Sequence, residues 1–293
     1  MGYNLPETKV HAVNFKIEPI FIPTTALQKL EQYPNGSGGL GDVWKCSFSA
    51  QSEPVAVKSI RVPQSTDEEL VAKAGTRIRR EAYVWIKLSH DRILPFKGVT
   101  EGFGPLPALV SPWMKNGSLN EYIRLKYSEL SDHQKLVIIQ EVASGLSYLH
   151  REGVVHGDLT GTNVLVGGDG HVCLADFGLS MILAQAENTT FNSCHPGNVR
   201  WMDPEVLDAQ DEQPTESGDV YSYGCVALQV LSGKQPYEKL KSVFSVMSAM
   251  AKGQQPFVDM KKDGFDGKLS SGCFKKPANL RLTIHQVTGI LGL

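Results

Sequence analysis

The strongest constraint on the fold is a change in hydrophobic pattern near Trp113–Gly117. Before this point, short apolar runs have the length and alternation of β-strands. These runs are Asp42–Phe48, Val55–Ile60 and Ala108–Val110. One helix is predicted among them, from a cap at Ser65 or Thr66 to about Leu88. The first part of the chain therefore predicts a small β-sheet with one major helix.

Helical periodicity dominates the second part of the chain. Ser131–Gln134 reads as a capping box, and the apolar spacing behind it predicts a helix that ends near Gly153. Val220–Leu231 is apolar nearly all round, as in a helix buried on most sides. Short strands are predicted at Val154–Val155, Val164–Val166 and Val172–Leu174. The whole pattern predicts an α+β chain, in which a small β-rich lobe precedes a larger helical lobe.

Composition and charge exclude several classes of protein. Lys and Arg (29) nearly balance Asp and Glu (31), so a basic nucleic-acid binder is disfavoured. No apolar run reaches the ~18 residues of a transmembrane helix, and Met1–Lys9 has no signal-peptide pattern. The five cysteines form no C-x-x-C pair, which favours free thiols in a reducing compartment over a zinc site. We therefore expect an intracellular protein of the cytoplasm or nucleus, with no nucleic-acid partner and no membrane span.

A glycine-rich segment, Gly36–Val43, has the form G-x-G-x-x-G-x-V. A dinucleotide fingerprint would need a helix after it, whereas a strand-like run follows here. A P-loop is disfavoured because no G-K-[ST] ending is present. A glycine loop between two strands would bring backbone amides close to phosphates.

Lys58 ends a short alternating strand, Val55–Lys58. Alternation sends Val55 and Val57 to one face, and Ala56 and Lys58 to the other. A lysine in such a segment, taken alone, is more often a solvent-facing residue than a ligand-binding one.

Two later segments carry candidate metal ligands, His156–Asn163 and Asp176–Gly178. Asp158, Asn163 and Asp176 can bind Mg²⁺ and orient a hydroxyl through hard oxygen atoms. Each could instead cap a turn.

Two further segments, Trp201–Glu205 and Asp219–Gly224, complete a series of six. In this order the series resembles a protein kinase catalytic domain over about Leu27 to Leu291. The residues around these motifs resemble those of the tyrosine-kinase-like group. The runs around Asp158 and Asp176 also resemble kinase-like proteins of mushroom-forming fungi. The resemblance implies a bilobal fold, with an irregular lead-in at 1–26 and a kinase domain at 27–293. Its N-lobe would cover about 27–113, with a small antiparallel sheet and one major helix, and its mainly helical C-lobe about 114–293.

The resemblance also implies a role for each matching residue. Lys58 would bind the α- and β-phosphates and pair with Glu81, and Asp158 would accept the proton of the substrate hydroxyl. Asn163 and Asp176 would hold Mg²⁺. Structural roles would fall to Asp219, which accepts catalytic-loop amides, to the pair Glu205 and Arg281, and to His156, Phe177 and Gly178.

The implied ATP site combines the glycine loop with the strand and hinge that hold adenine. Ser111 falls at the gatekeeper position, where a small side chain leaves the back of the pocket open. Pro112 lacks an N–H but stands where only a carbonyl is used, and Met114 keeps its N–H. The implied ATP-binding residues are Gly36, Ser37, Gly38, Gly39, Gly41, Val43, Ala56, Lys58, Ser111, Pro112, Met114 and Leu165.

Two departures from the family pattern lie in the catalytic loop. Gly157 replaces the usual Arg, so we expect activity that does not depend on phosphorylation of Thr189, Thr190 or Ser193. Thr160 replaces the Lys of serine/threonine kinases, and one lost preorganised donor can cost about 10²–10³-fold in rate. A slow site is therefore expected, and Thr160→Lys is expected to raise turnover.

Other departures lie near the C-terminus. Asp203 stands where Ala is usual, and Leu282 stands where Pro is usual. The glycine-rich stretch Pro256–Phe274 predicts that a helix is missing or frayed there.

Three functions remain open at this point. The favoured one is an ATP- and Mg²⁺-dependent protein kinase, monomeric and directed to serine or threonine rather than tyrosine of a protein substrate. A pseudokinase scaffold is the alternative, supported by Thr160. A small-molecule phosphotransferase, whose loop also reads H-G-D-x-x-x-x-N, is disfavoured by Gly36–Gly41, Asp203–Glu205 and the Asp219 segment.

Overall fold

A computed structural model describes residues 20–37, 41–48, 52–60, 82–177, 198–208, 214–258 and 264–293. The described N-terminal residues form an antiparallel sheet in the order β1-β3-β4-β6-β5, with β2 also paired to β3. The strands are β1 (Gln28–Lys29), β2 (Gly36–Ser37), β3 (Gly41–Ser47), β4 (Val55–Ile60), β5 (Gly98–Thr100) and β6 (Ala108–Pro112). The three strands predicted from sequence are confirmed as β3, β4 and β6.

Alternation in β4 sets which side chains enter the core. Val55 and Val57 are almost fully buried in a small cluster with Cys46 and Val110. Lys58 and Ala56 lie on the opposite face, where they are only partly buried. Cross-strand pairing places Lys58 opposite Val43 of β3 and Leu109 of β6. Lys58 therefore lies between β3, which begins in the glycine-rich segment, and β6, which leads to the predicted hinge.

The lead-in pairs with the edge of the sheet. Phe21 forms a parallel bridge with Val99, Ile22 N–H donates to the Val99 carbonyl, and Val99 N–H donates to the Ile20 carbonyl. Gly98 permits this approach, because a Cβ there would lie 2.3 Å from the Ile20 carbonyl oxygen. An irregular lead-in was expected at 1–26, whereas its described end covers the edge strand β5.

The second part of the described chain is mainly helical. Residues 82–87 form α1, and the rest of the helix predicted up to about Leu88 lies outside the described residues. The helices that follow are α2 (Leu119–Lys126), α3 (Asp132–Arg151), α4 (Glu205–Asp208), α5 (Glu216–Ser232), α6 (Val243–Ala251), α7 (Phe265–Cys273) and α8 (Ile284–Ile290). Two short strands, β7 (Val164–Val166) and β8 (Val172–Leu174), form a hairpin between α3 and α4.

Helices α3 and α5 form the centre of this part. Ser131 and Gln134 form the predicted capping box at the start of α3. Most of α5 is buried, as its apolar sequence predicts. No helix in the described residues is long and apolar enough to cross a membrane.

Two sequence predictions are wrong in this lobe. Val154–Val155 is not a strand. The segment predicted to lack a helix contains α7, whose Leu269 and Cys273 are fully buried. Gly272 is a packing site rather than a helix breaker, since a Cβ there would lie 2.3 Å from Leu282 Cδ1.

Candidate active site

Lys58 and Asp176 form an ion pair in the cleft between the sheet and the helical lobe. Lys58 Nζ lies 2.5 Å from Asp176 Oδ1, although the two residues are 118 positions apart. Asp176 follows β8 with a φ of 58°, a left-handed conformation that is uncommon outside glycine and often marks a functional site. Its carboxylate therefore faces the lysine that the sequence predicted to bind phosphate. Glu81, the predicted partner of Lys58, lies outside the described residues, as do Gly38, Gly39 and Gly178.

The loop that carries Asp158 is held from behind by Asp219 of α5. The Asp219 carboxylate accepts hydrogen bonds from His156 N and Gly157 N, both at 2.8 Å. His150 Nε2 lies 2.9 Å from Asp219 Oδ2. A carboxylate with several donors is a strong anchor, so the backbone before Asp158 is fixed to the helical core.

Aromatic rings connect this loop to α1. The Phe177 ring meets Trp85 of α1 and His156 edge-on, with centroid separations of 6.0 Å and 6.3 Å. All three side chains are buried, and burial lowers the pKa of His156. His156 and Phe177 thus pack beneath the cleft rather than within it.

Asp158 accepts hydrogen bonds from two amide side chains. Asn163 Nδ2 lies 3.0 Å from Asp158 Oδ2 and 2.7 Å from the Asp158 carbonyl. Asn198 Nδ2 lies 2.8 Å from both carboxylate oxygens. Burial raises the pKa of Asp158 to about 7, a rise that the bonds from Asn198 and Asn163 oppose. A carboxyl group whose pKa lies near neutral pH is suited to act as a general base.

Asn198 was not identified from the sequence as a site residue. It lies three positions before Trp201, and no spacing rule connects it to Asp158. Its place is set by the 3-10 turn Val199–Trp201, whose Arg200 guanidinium donates to the carbonyls of Pro236, Tyr237 and Leu240. These tertiary contacts hold the turn that brings Asn198 to the catalytic loop.

The predicted metal ligands offer a suitable donor set for Mg²⁺. The side-chain nitrogen of Asn163 donates to Asp158, so the amide oxygen of Asn163 is oriented for other contacts and can bind a cation. Asp158 and Asp176 are close enough that the Asp176 charge also raises the pKa of Asp158. No group of three His, Cys, Asp or Glu side chains in the described residues suits a metal by itself. The Asn163 amide and the Asp176 carboxylate still fit Mg²⁺, which binds few protein ligands and completes its shell with phosphates and water.

The predicted adenine side of the cleft is formed by β4, β6 and β7. Ala56 lies opposite Ser111, which is 6% exposed. Trp113 N–H donates to the Pro54 carbonyl, and the Met114 carbonyl accepts from Gly117 N–H. Leu165 is partly buried in β7, opposite Cys173. Gly36 and Val43 are paired across β2 and β3, so the glycine-rich segment borders the same cleft.

A buried ion-pair cluster lies on the other side of the catalytic loop. Arg281 NH2 lies 3.1 Å from Glu205 Oε1, the pair that the resemblance implied. The same guanidinium also contacts both carboxylate oxygens of Asp203, at 2.5 Å and 2.9 Å. Asp203 is 5% exposed. The residue that departs from the family pattern is therefore the bidentate partner of Arg281.

The β2–β3 hairpin at Gly36, the Lys58–Asp176 ion pair and the loop that carries Asp158 lie together, as the sequence predicted for a protein kinase fold. Residues 32–291 match the family described as "Protein tyrosine and serine/threonine kinase". The chain therefore belongs to the protein kinase family, and the expected bilobal α+β fold is confirmed. The resemblance to the fungal kinase-like proteins stays a prediction.

Two curated relatives share moderate identity with the chain. The serine/threonine-protein kinase STY46 of Arabidopsis thaliana is 29% identical over 223 residues, 76% of this chain and 36% of the relative. Cell division control protein 7 of Schizosaccharomyces pombe is 28% identical over 252 residues, 86% of this chain and 22% of the relative. The chain thus spans about a third or less of the length of these relatives.

Proposed function

We propose that this domain transfers the γ-phosphoryl group of ATP to a serine or threonine hydroxyl of a protein. The observation that carries the proposal is the meeting of Lys58, Asp176 and Asp158 in one cleft, from three distant parts of the chain. The name of the Arabidopsis relative supports serine or threonine over tyrosine. Mg²⁺, held by Asn163 and Asp176, would neutralise charge on the phosphates.

Each residue of the cleft has a distinct part in this reaction. Lys58 would bind phosphate oxygens, because it projects from β4 beside the glycine-rich hairpin. Asp158 would orient the substrate hydroxyl and accept its proton. Most of the rate acceleration in phosphoryl transfer comes from positioning and from electrostatic stabilisation. The catalytic loop, which Asp219 holds in place, would provide the positioning.

Thr160 sets the expected speed of the reaction. It is 1% exposed, and its hydroxyl accepts a hydrogen bond from Thr162 N–H at 3.2 Å. The loop residues His156–Asn163 include no Lys or Arg, so they supply no cation to the transferred phosphoryl group. We propose slow turnover for this reason. The same observation favours the second candidate, a pseudokinase that binds nucleotide without efficient transfer.

The small-molecule phosphotransferase is less well supported. Asp203 and Glu205 pair with Arg281, so the segment after the Val199–Trp201 turn is held to the segment before α8. The family resemblance assigns these residues to a peptide-docking region, which small-molecule phosphotransferases lack.

The test compares the wild-type domain with Asp158→Asn in Mg-ATP-dependent phosphorylation of a generic protein substrate. We expect the substitution to reduce kcat at least 10²-fold, the usual contribution of a general base. Asp132→Asn, the same chemical change at a fully exposed position of α3, is the matched control and is expected to keep wild-type activity. ATP binding without phosphorylation above the Asp158→Asn background would contradict the proposal and support the pseudokinase.

A further inference from the structure

We infer that Asn198 is a positioning residue, which fixes the Asp158 carboxylate so that Oδ1 faces the substrate hydroxyl. Asn198 belongs to a wider set of neutral amide side chains that contact the catalytic loop. The inference rests on the proposed function, because it assigns a partner to the proposed catalytic base.

The two carboxylate oxygens of Asp158 differ in the number of hydrogen bonds that they accept. Each carboxylate oxygen has about two lone-pair sites. Among the described residues, Asp158 Oδ2 accepts from Asn163 at 3.0 Å and from Asn198 at 2.8 Å, whereas Oδ1 accepts from Asn198 alone, at 2.8 Å. Oδ1 therefore keeps capacity for one more donor. Because Asn198 contacts both oxygens, it fixes the rotation of the carboxylate about its own axis.

The chemistry of the amide nitrogen suits it to this role. An amide NH₂ group only donates hydrogen bonds, whereas a hydroxyl can also accept. The NH₂ group that faces Asp158 thus cannot compete with it for the proton of the substrate. It also adds no positive charge, so it orients the carboxylate without forming an ion pair.

The turn that follows Asn198 is fixed by hydrogen bonds to the helical lobe. The Asn198 carbonyl accepts from Trp201 N–H at 3.0 Å. Trp201 is buried, and its carbonyl accepts from Ser222 Oγ of α5 at 2.8 Å. Arg200 anchors the same turn to the carbonyls of residues 236–240. Asn198 is therefore held by the helical lobe, independently of the catalytic loop that it contacts.

A second amide route joins the same turn to the same loop. Trp201 Nε1 donates to Gln229 Oε1 at 3.0 Å, and Gln229 Nε2 donates to Asn120 Oδ1 at 2.7 Å. Asn120 in turn donates to Thr162 Oγ1 at 2.8 Å and, through its backbone, to the Gly161 carbonyl at 3.0 Å. Gly161 is required for this fit, because a Cβ there would lie 2.2 Å from Asn120 Oδ1. Both sides of Asp158 are thus connected to the Trp201 turn through neutral amides.

The test uses kinetics of the full chain with Asn198→Asp and Asn198→Ser. Asn198→Asp keeps the shape but replaces the donor with a carboxylate, and we expect kcat to fall 10²-fold or more while the KM for ATP changes less than threefold. Asn198→Ser retains a donor and is expected to recover part of the lost kcat. Gln140→Glu removes an amide donor from the Leu291 carbonyl, far along α3, and is expected to leave kcat unchanged.

The outcomes separate the inference from the proposed function. An active wild type whose kcat is unaffected by Asn198→Asp, with both proteins folded by thermal unfolding, would overturn the inference alone. A kcat loss that Asn198→Ser does not relieve would also overturn it, since the donor would then not be the relevant property. A wild type that binds ATP but transfers no phosphate would overturn the proposed function and the inference with it.

Discussion

At the scale of single residues, burial and hydrogen bonding act on Asp158 in opposite directions. Burial raises the pKa of this carboxyl group to about 7, because a charge loses hydration in the cleft. The bonds from Asn198 and Asn163 favour the ionised form and limit the rise. The folded chain therefore holds its proposed base near the midpoint of titration at neutral pH, where both protonation states are populated.

This balance predicts a pH-dependent effect of Asp158→Asn on stability. The unfolded carboxyl titrates near 3.8 and the folded one near 7, so the unfolded state loses its proton first as pH rises. Wild-type stability therefore falls between these pH values and levels off above pH 7. Asp158→Asn removes this loss, so its stability relative to wild type should be greater at pH 8 than at pH 5, by about 3 kcal/mol. Denaturant unfolding at both pH values, without nucleotide, measures the difference, and an equal difference at both would contradict the assigned pKa.

At the scale of secondary-structure elements, the cluster around Arg281 joins α4, α5 and the segment before α8. Arg281 contacts Asp203 and Glu205 and also donates to the Ser217 and Lys275 carbonyls. The guanidinium is fully buried, so its charge must be matched by nearby acceptors. Asp203 and Glu205 supply two carboxylates for one cation, and the pairing holds the start of α4 against α5.

Substitutions in this cluster should differ in cost. Arg281→Met leaves the buried Asp203 carboxylate without its cation, and we expect a loss of about 3–5 kcal/mol in the free energy of unfolding. Asp203→Ala should cost less, because Glu205 still pairs with Arg281. Lys126→Ala breaks an exposed pair with Glu129 and serves as the control, with about 0–1 kcal/mol expected. Denaturant unfolding gives the three values, and an Asp203→Ala cost above that of Arg281→Met would contradict the account.

Local sequence patterns predicted those elements whose signal lies within a few residues. The Ser131 capping box and the alternation of Val55 and Val57 are signals of this kind. Strand β5 has three residues, one of them Gly98, and therefore carries no periodic signal. Gly272 reads as a helix breaker in sequence, but it serves contact with Leu282, which no local rule describes.

The residues of the candidate site likewise fall into two groups, those that local motifs predict and those that only tertiary contacts reveal. Lys58, Asp158, Asn163 and Asp176 were recognised because they lie in ordered motifs. Asn198 and Asp203 act through contacts with residues 40 and 78 positions away. Their roles depend on tertiary structure that a single sequence does not display.

At the scale of the whole molecule, the described end of the lead-in joins the catalytic sheet. Residues 20–22 pair in parallel with Val99, while β5 pairs with β6 and β6 with β4. The lead-in is thus connected through two strands to the one that carries Lys58. The close approach depends on Gly98, whose φ is 148°.

Gly98→Ala should loosen this edge of the sheet. The added Cβ would meet the Ile20 carbonyl oxygen at 2.3 Å, and the backbone conformation itself disfavours a side chain. We expect a loss of about 1–3 kcal/mol in stability and faster proteolysis before Ile22. Gly104→Ala, where a Cβ would meet only Ser59 at 4.0 Å, is the control. Equal proteolysis of the two variants would contradict the role given to Gly98.

The parallel pairing of residues 20–22 also has a mechanical consequence. Tension applied to the chain before Ile20 acts on two backbone hydrogen bonds, Ile22 N–H to Val99 and Val99 N–H to Ile20. The load passes to β5 and from there across β6 to β4. A pull on the lead-in is therefore transmitted through backbone hydrogen bonds to β4, the strand that carries Lys58.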